Sequence, residues 1–148
     1  MGEQTQLDPG STDDMPFLAA LPPDERDRLL SRVKVVRFDP GQVIFEREQP
    51  ARAMYVVTQG TARVDVGGRY HDLKRGALLG EMGLLSSKPR MRTVTALDGF
   101  EALEIEVDDL DAFLRENPGI AIGMLKIVAE RLREVEERLD AWMGVYVS

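Results

Sequence analysis

The pattern of hydrophobic and polar positions changes twice along the chain. Between about residues 34 and 107, short apolar runs alternate with turn residues, which is typical of an antiparallel β structure. The runs lie at residues 33–38, 43–45, 54–58, 62–66, 92–96 and 102–107. The alternation on both sides of the Gly67-Gly68 pair predicts a tight hairpin. We therefore predict a jelly-roll-like antiparallel β-roll in this region.

A helical period replaces this pattern on both sides of the roll. Leu21-Pro22-Pro23-Asp24-Glu25 predicts the start of a short helix, because proline and acidic residues favour a first turn. Asp108 predicts the cap of a second helix, and Asn117-Pro118 predicts the start of a long one that runs to about Met143. The predicted fold class is α+β: an antiparallel β-roll with a short N-terminal helix and two C-terminal helices, the last one long.

The chain of 148 residues is long enough for one domain with its own core. Residues 1–15 are polar and lack any period, so we predict a disordered N-terminal lead. The domain then covers residues 16–143, with the roll at about 34–107 and the C-terminal helices at about 108–143. Residues 144–148 are predicted to form a tail.

The predicted long helix carries apolar residues at alternating spacings of three and four positions, which is typical of a coiled-coil seam. We call this set the seam: Leu125, Val128, Leu132, Val135, Leu139 and Trp142. It predicts a parallel homodimer through this helix. The alternative is a helix that folds back on its own sheet.

Composition excludes several kinds of site. The chain has no cysteine and one histidine, His71, to which we assign no role. Disulfides, thiolate metal sites and cysteine nucleophiles are therefore excluded, and a roll-type metal enzyme of the cupin sort would need a histidine cluster. We expect a protein that is not an enzyme and holds no metal or cofactor.

The net charge of −7 comes from residues 101–148, which hold 5 basic and 12 acidic residues. An acidic chain does not favour direct nucleic-acid binding. Residues 63–92 hold seven basic and three acidic residues, which suits a small anionic ligand. No apolar run approaches the length of about 20 residues that a membrane span needs, and the first residues lack the basic and apolar regions that are typical of a secretion signal. We expect a cytoplasmic protein without a membrane partner.

Candidate chemistry concentrates in residues 79–96. Gly80 and Gly83 permit close backbone approach, Glu81 lies between them, and Arg90 follows nine positions after the acid. A helix N-terminus and an arginine can bind a phosphate, and a carboxylate can accept a hydrogen bond from a sugar hydroxyl. This combination indicates a nucleotide. The alternative is a glycine turn with a Glu81–Arg90 ion pair.

The same segment resembles the phosphate-binding cassette of the cyclic-nucleotide-binding domain, shared by the catabolite activator protein family and protein kinase A regulatory subunits. The positions that match are Gly80, Glu81, Gly83, Leu84, Pro89, Arg90, Thr93, Val94 and Ala96. Residues 39–45, 53–60, 117–118 and 129–132 resemble other parts of that domain, so the resemblance covers about residues 16–143.

The resemblance implies a role for individual residues. Glu81 would accept the ribose 2′-hydroxyl, Arg90 would pair with the cyclic phosphate, and the N–H groups of Gly83 and Leu84 would complete the phosphate site. The full set of implied ligand residues is Gly80, Glu81, Met82, Gly83, Leu84, Pro89, Arg90, Met91 and Arg92. The implied function is that of a sensor, which transmits ligand occupancy through its C-terminal helix and carries no DNA-binding domain in this chain.

Some positions depart from the family pattern. Met91 lacks the hydroxyl that favours guanine in cGMP-selective relatives, so the predicted ligand is cAMP, with cGMP as the other candidate. Val135 takes the position of a threonine that contacts the base in the catabolite activator protein, and Tyr146 could stack on the base. Val135 and Tyr146 are therefore the candidate base contacts, and Trp142 is assigned to packing. Arg92 replaces a small residue. These departures support an alternative, a β-roll dimerisation module that no longer binds nucleotide.

Overall fold

The computed structural model describes residues 12–143 and folds them into five helices and eight strands. The helices are α1 (Pro16–Ala19), α2 (Pro23–Arg32), α3 (Glu81–Ser86), α4 (Leu110–Glu116) and α5 (Pro118–Met143). The strands are β1 (Lys34–Phe38), β2 (Val43–Phe45), β3 (Ala53–Gln59), β4 (Ala62–Val66), β5 (Arg69–Leu73), β6 (Leu78–Leu79), β7 (Val94–Ala96) and β8 (Phe100–Glu106). Residues 1–11 and 144–148, which hold most of the predicted lead and the predicted tail, lie outside the described residues.

The strands form two antiparallel four-stranded sheets, one in the order β1-β8-β3-β6 and the other in the order β2-β7-β4-β5. The predicted α+β fold class is confirmed. Strands β4 and β5 make the predicted hairpin, and Gly67 and Gly68 in its turn have φ angles of 60° and 85°. Strand β6 was not predicted, because a two-residue strand is too short to show alternation.

Two apolar cores cover the two faces of the first sheet. Met54 and Val56 of β3 pack with the helices, whereas Tyr55 and Val57 pack between the two sheets. Successive side chains of a strand point to opposite faces, so a strand that is buried on both faces reads as a continuous apolar run. This explains why β3 is the most apolar run of the roll.

The N-terminal prediction is wrong for residues 12–15. Met15 is fully buried in the core on the helix side, and Asp14 makes a two-bond ion pair with Arg75, with Nε···Oδ2 and Nη2···Oδ1 distances of 2.6 and 2.9 Å. The Arg75 side chain holds the pKa of the Asp14 carboxyl below its usual range. The apolar Met15-Pro16-Phe17-Leu18 segment is too short to show a helical period, so helix α1 was not predicted either.

The residues that cap the two C-terminal helices differ from those that the sequence indicates. The Asp109 carboxylate, rather than that of Asp108, accepts a hydrogen bond from the Ala112 N–H and caps α4. At the start of α5 the side chain of Glu25, from α2, accepts hydrogen bonds from the N–H groups of Gly119 and Ile120, both at 3.1 Å. A distant carboxylate therefore caps the long helix.

Helix α5 has one buried face near its start. Ile120 and Met124 are buried with the helix-side core, and Ile127 is partly buried against it. Gly123 lies so close to Phe17 that an added Cβ would stand 3.2 Å from its ring. None of the helices within residues 12–143 has the length and apolar character that a membrane span requires.

Candidate functional site

A cavity of about 760 Å³ lies between the sheet β2-β7-β4-β5, helix α3 and helix α5. The predicted ligand residues in its wall are Gly80, Glu81, Met82, Gly83, Arg90, Met91 and Arg92. Leu84 and Pro89 are not in the wall: Leu84 is buried in the helix-side core and Pro89 is exposed. Val135 lines the cavity from α5, and Tyr146 lies outside the described residues.

Two glycines bring α3 close to its neighbours. Gly80 precedes the helix with a φ angle of 86°, in the left-handed region that favours glycine, and a Cβ there would stand 2.7 Å from Nη1 of Arg90. A Cβ on Gly83 would stand 2.6 Å from the Cβ of Ala51. Larger residues at these positions would push α3 away from the cavity wall.

The segment after α3 is held to the loop that follows β2. The N–H of Glu48 donates to the Arg90 carbonyl and the N–H of Arg90 donates to the Gln49 carbonyl, both at 2.8 Å. Glu48 has a φ angle of 76°, in the left-handed region that favours glycine. These two hydrogen bonds fix the backbone of Arg90.

The guanidinium of Arg90 is buried, with 5 % of the residue exposed. Its Nη1 donates to the Gly80 carbonyl and its Nη2 donates to the Ala53 carbonyl, both at 2.6 Å. Its Nε has no hydrogen-bond partner, and within residues 12–143 no carboxylate lies at ion-pair distance from it. Burial lowers the pKa of Arg90, because it disfavours the charged form. A buried cation without a counter-anion faces the cavity.

The Glu81 carboxylate is fully buried and forms an ion pair with Arg131 of α5, between Oε1 and Nη1. The Arg131 side chain also donates from Nη2 to the Leu78 carbonyl, and burial lowers the pKa of its guanidinium. Glu81 thus pairs with an arginine of the long helix and not with Arg90, so the predicted alternative of a Glu81–Arg90 pair is wrong. Helix α5 is attached to the cavity floor through this pair.

Charges around the cavity are nearly balanced, unlike those of residues 63–92. The basic side chains in its wall are Lys74, Arg90, Arg92, Arg131 and Arg138, and the acidic ones are Asp72, Glu81, Glu130 and Glu134. His71 is an exposed residue of the same wall. Preference for an anion must therefore come from the buried Arg90 rather than from net charge.

Within residues 12–143, no three His, Asp or Glu side chains lie close enough together to hold a metal ion.

Comparison with known proteins identifies the family to which the chain belongs. Residues 35–117 match the family described as the cyclic nucleotide-binding domain. The match includes the roll, α3, Glu81 and Arg90, and it spans more than half of the chain. The chain belongs to the cyclic nucleotide-binding domain family.

Individual relatives agree with this assignment. The cyclic AMP receptor protein of Thermus thermophilus is 31 % identical over 131 residues, which cover 84 % of this chain and 61 % of the relative. The cAMP-dependent protein kinase regulatory subunit of Aspergillus fumigatus is 31 % identical over 111 residues, which cover 66 % of this chain and 27 % of the subunit. The crystal structure of the Thermus thermophilus catabolite activator protein superposes with a TM-score of 0.74 at 30 % identity, covering 86 % of this chain and 63 % of that one.

These relatives confirm the family that the cassette resembles and the fold class. The cyclic nucleotide-binding domain is a ligand-binding regulatory domain, as the sequence predicted. The chain spans about three fifths of the length of one curated relative and about a quarter of the other.

Sequence reasoning predicted Val135 but missed the charged residues that α5 adds to the cavity. Arg131 continues the stripe of Ile120, Met124 and Ile127, at spacings of four, three and four residues, so it lies on the face that turns toward the roll. Further along, Glu134 and Arg138 also line the cavity. A core-facing stripe that changes from apolar to charged was the available signal for these contacts.

Proposed function

We propose that this domain is a sensor that binds a cyclic nucleotide, with cAMP preferred to cGMP, in the cavity between the roll and α5. The observation that carries the proposal is the buried guanidinium of Arg90, which faces the cavity without a carboxylate partner among the described residues. An uncompensated buried charge is costly, so an anion gains more there than on the surface. Two relatives named for cyclic AMP support cAMP as the ligand.

Arg90 is suited to the cyclic phosphate. Two of its five N–H donors are used by the Gly80 and Ala53 carbonyls, and the buried Nε has no hydrogen-bond partner. A guanidinium can bind two phosphate oxygens through parallel N–H donors. In a helix that begins at Glu81, the Leu84 N–H can bond to the Gly80 carbonyl, so of the two predicted backbone donors Gly83 is the one left for a ligand.

Glu81 is the proposed acceptor for the ribose 2′-hydroxyl. Its carboxylate is buried at the cavity floor, where Arg131 balances its charge. A ribose that reaches Glu81 enters the space around Arg131, so ligand binding alters a contact of α5. This is the proposed route by which occupancy reaches the long helix, which acts as the element with two positions.

The seam is the proposed dimer interface. Most of its members are strongly exposed in the single chain: Leu125 at 68 %, Leu132 at 57 %, Val135 at 57 %, Leu139 at 51 % and Trp142 at 84 %. A contiguous apolar strip of this kind is unusual on a monomer, and its 3.5-residue period fits a parallel partner helix. The alternative in which α5 only folds back on its own roll would leave this strip in water.

A cytoplasmic location stays a prediction from the sequence. A dimerisation module that no longer binds nucleotide is the second candidate function, and the first experiment below separates it from the sensor.

Replacement of Arg90 tests the proposed ligand. We expect wild-type protein to bind cAMP and Arg90→Ala to weaken binding at least tenfold, because a charge-assisted hydrogen bond contributes about 1.5–3 kcal/mol. Isothermal titration calorimetry measures both affinities, and circular dichroism checks that the variant folds. Arg69→Ala, at an exposed arginine of the β4–β5 hairpin, is the matched control and should bind as wild type does. Wild-type protein without any heat of binding at millimolar cAMP would favour the dimerisation module.

Replacement of Met91 tests the base preference. Met91 lines the cavity and is 60 % exposed, so a smaller side chain there should leave the fold intact. We expect Met91→Thr to raise the affinity for cGMP relative to cAMP, because the hydroxyl can hydrogen-bond to guanine. Met91→Val is the control, because valine has the shape of threonine without the hydroxyl. A wild-type preference for cGMP would contradict the assignment.

Replacement of Arg131 tests transmission through α5. We expect Arg131→Gln to speed hydrogen exchange of α5 amides in ligand-free protein, since the ion pair with Glu81 is lost. Saturating cAMP should alter α5 exchange in wild type and much less in the variant. Arg133→Gln, at an exposed arginine on the same helix, is the control. An identical response of wild type and Arg131→Gln would rule out this route.

Replacement of Leu132 tests the seam. We expect wild-type protein to sediment as a dimer and Leu132→Glu to sediment as a monomer, because the change places a charge in the centre of the apolar strip. Ala141→Glu adds the same charge at an exposed position outside the seam and should leave the dimer intact. A wild-type monomer at high micromolar concentration would show that the seam does not pair.

A further inference from the structure

Behind Arg90 lie two aromatic rings. The Arg90 guanidinium carbon stands 4.1 Å from the centre of the Phe45 ring, and the Phe45 ring stacks on that of Tyr55, with centroids 6.2 Å apart and an interplanar angle of 25°. Phe45 ends β2 in one sheet, and Tyr55 lies in β3 of the other. We call these three side chains the Arg90–Phe45–Tyr55 stack. It connects the buried cation to both sheets.

The far end of the stack is firmly fixed. Tyr55 is 8 % exposed and lies opposite Glu104 in the β3–β8 ladder. Burial, together with the neighbouring Glu104 carboxylate, raises the pKa of Tyr55 to about 12. The phenol is therefore neutral at any physiological pH, and its ring forms a rigid floor beneath Phe45.

The stack leaves Arg90 little freedom. Phe45 covers one face of the guanidinium, while the Gly80 and Ala53 carbonyls hold Nη1 and Nη2 in its plane. An aromatic face carries negative charge density that attracts a cation, and this attraction is strongest where water is excluded. An aliphatic side chain at position 45 would fill the same volume without that attraction.

We propose that Phe45 is a positioning residue for anion binding: its ring fixes the plane of the Arg90 guanidinium before the ligand arrives. This inference rests on the proposed function, in which Arg90 binds the cyclic phosphate. A guanidinium already held in its binding orientation loses less conformational entropy when it binds a phosphate. Phe45 also lines the cavity, so its action through Arg90 has to be separated from direct contact with the ligand.

A ligand-free measurement tests the positioning itself. The Arg90 Nε–H signal should be observable by NMR and shifted by the Phe45 ring current in wild-type protein. In Phe45→Leu we expect the shift to disappear and the Nε–H to exchange faster with water, while Phe45→Tyr retains both properties. If Phe45→Leu does not fold, Phe45→Met takes its place, because methionine fills the volume without a ring. An unchanged Nε–H signal in a folded variant without the ring would overturn the inference.

A double-mutant cycle tests the effect on binding. We expect Phe45→Leu to weaken cAMP binding by about three- to tenfold in wild-type protein, within the range of cation–π contacts, and by less than twofold in the Arg90→Gln background. Phe45→Tyr should restore affinity to within twofold. Equal losses in both backgrounds would mean that Phe45 contacts the ligand directly and would overturn the positioning role. Wild-type protein that does not bind cAMP would instead refute the proposed function, and the ligand-free NMR result would still decide whether Phe45 orders Arg90.

Discussion

The buried guanidinium of Arg90 is the constraint on which the cavity depends. Its position leaves no room for a Cβ on Gly80, its Nη1 and Nη2 atoms donate to the carbonyls of Gly80 and Ala53, and its guanidinium carbon lies over the ring of Phe45. Those partners lie on three different parts of the fold: the turn before α3, the start of β3 and the end of β2. A charge that is removed from water needs partners on every side, so it brings these segments together. The cavity wall is the surface that this arrangement leaves on the remaining side.

Helix α5 has different chemistry on its two faces. One face begins with Ile120 and Met124 in the helix-side core and continues with Arg131 at Glu81. This face therefore packs first against apolar side chains and then against a buried carboxylate. The seam occupies another face, which includes Leu132 and Leu139 and is exposed along most of its length. Val135 belongs to the seam and also lines the cavity. The proposed ligand and the proposed partner chain therefore meet at the same turn of one helix.

Local patterns in the sequence were sufficient for the roll and for the cassette. The alternation around the Gly67-Gly68 pair and the spacing from Gly80 to Arg90 involve residues that are close in the sequence. Such residues stay close in the folded chain, so their pattern predicts their contacts. The missed contacts join residues that are far apart in the chain. Arg131 meets Glu81 across 50 positions, and Glu25 caps α5 across 94 and 95. The period of α5 places Arg131 on the face toward the roll, but no period within a segment identifies the distant residue that such a side chain contacts. The ordered structure of residues 12–15 was not predicted for the same reason, since Met15 packs in a core that assembles from distant elements.

The cap that Glu25 gives to α5 makes the long helix a lever with one end held. The helix rises about 1.5 Å per residue, so Arg131 lies about 16 Å from the held end at Ile120, and Met143 lies about 35 Å from it. A tilt about the Glu25 cap that moves Arg131 by about 1 Å would move the far end of the helix by about 2 Å. The geometry thus enlarges a small displacement at the cavity floor by a factor of about two, which is set by where along the helix the ion pair stands.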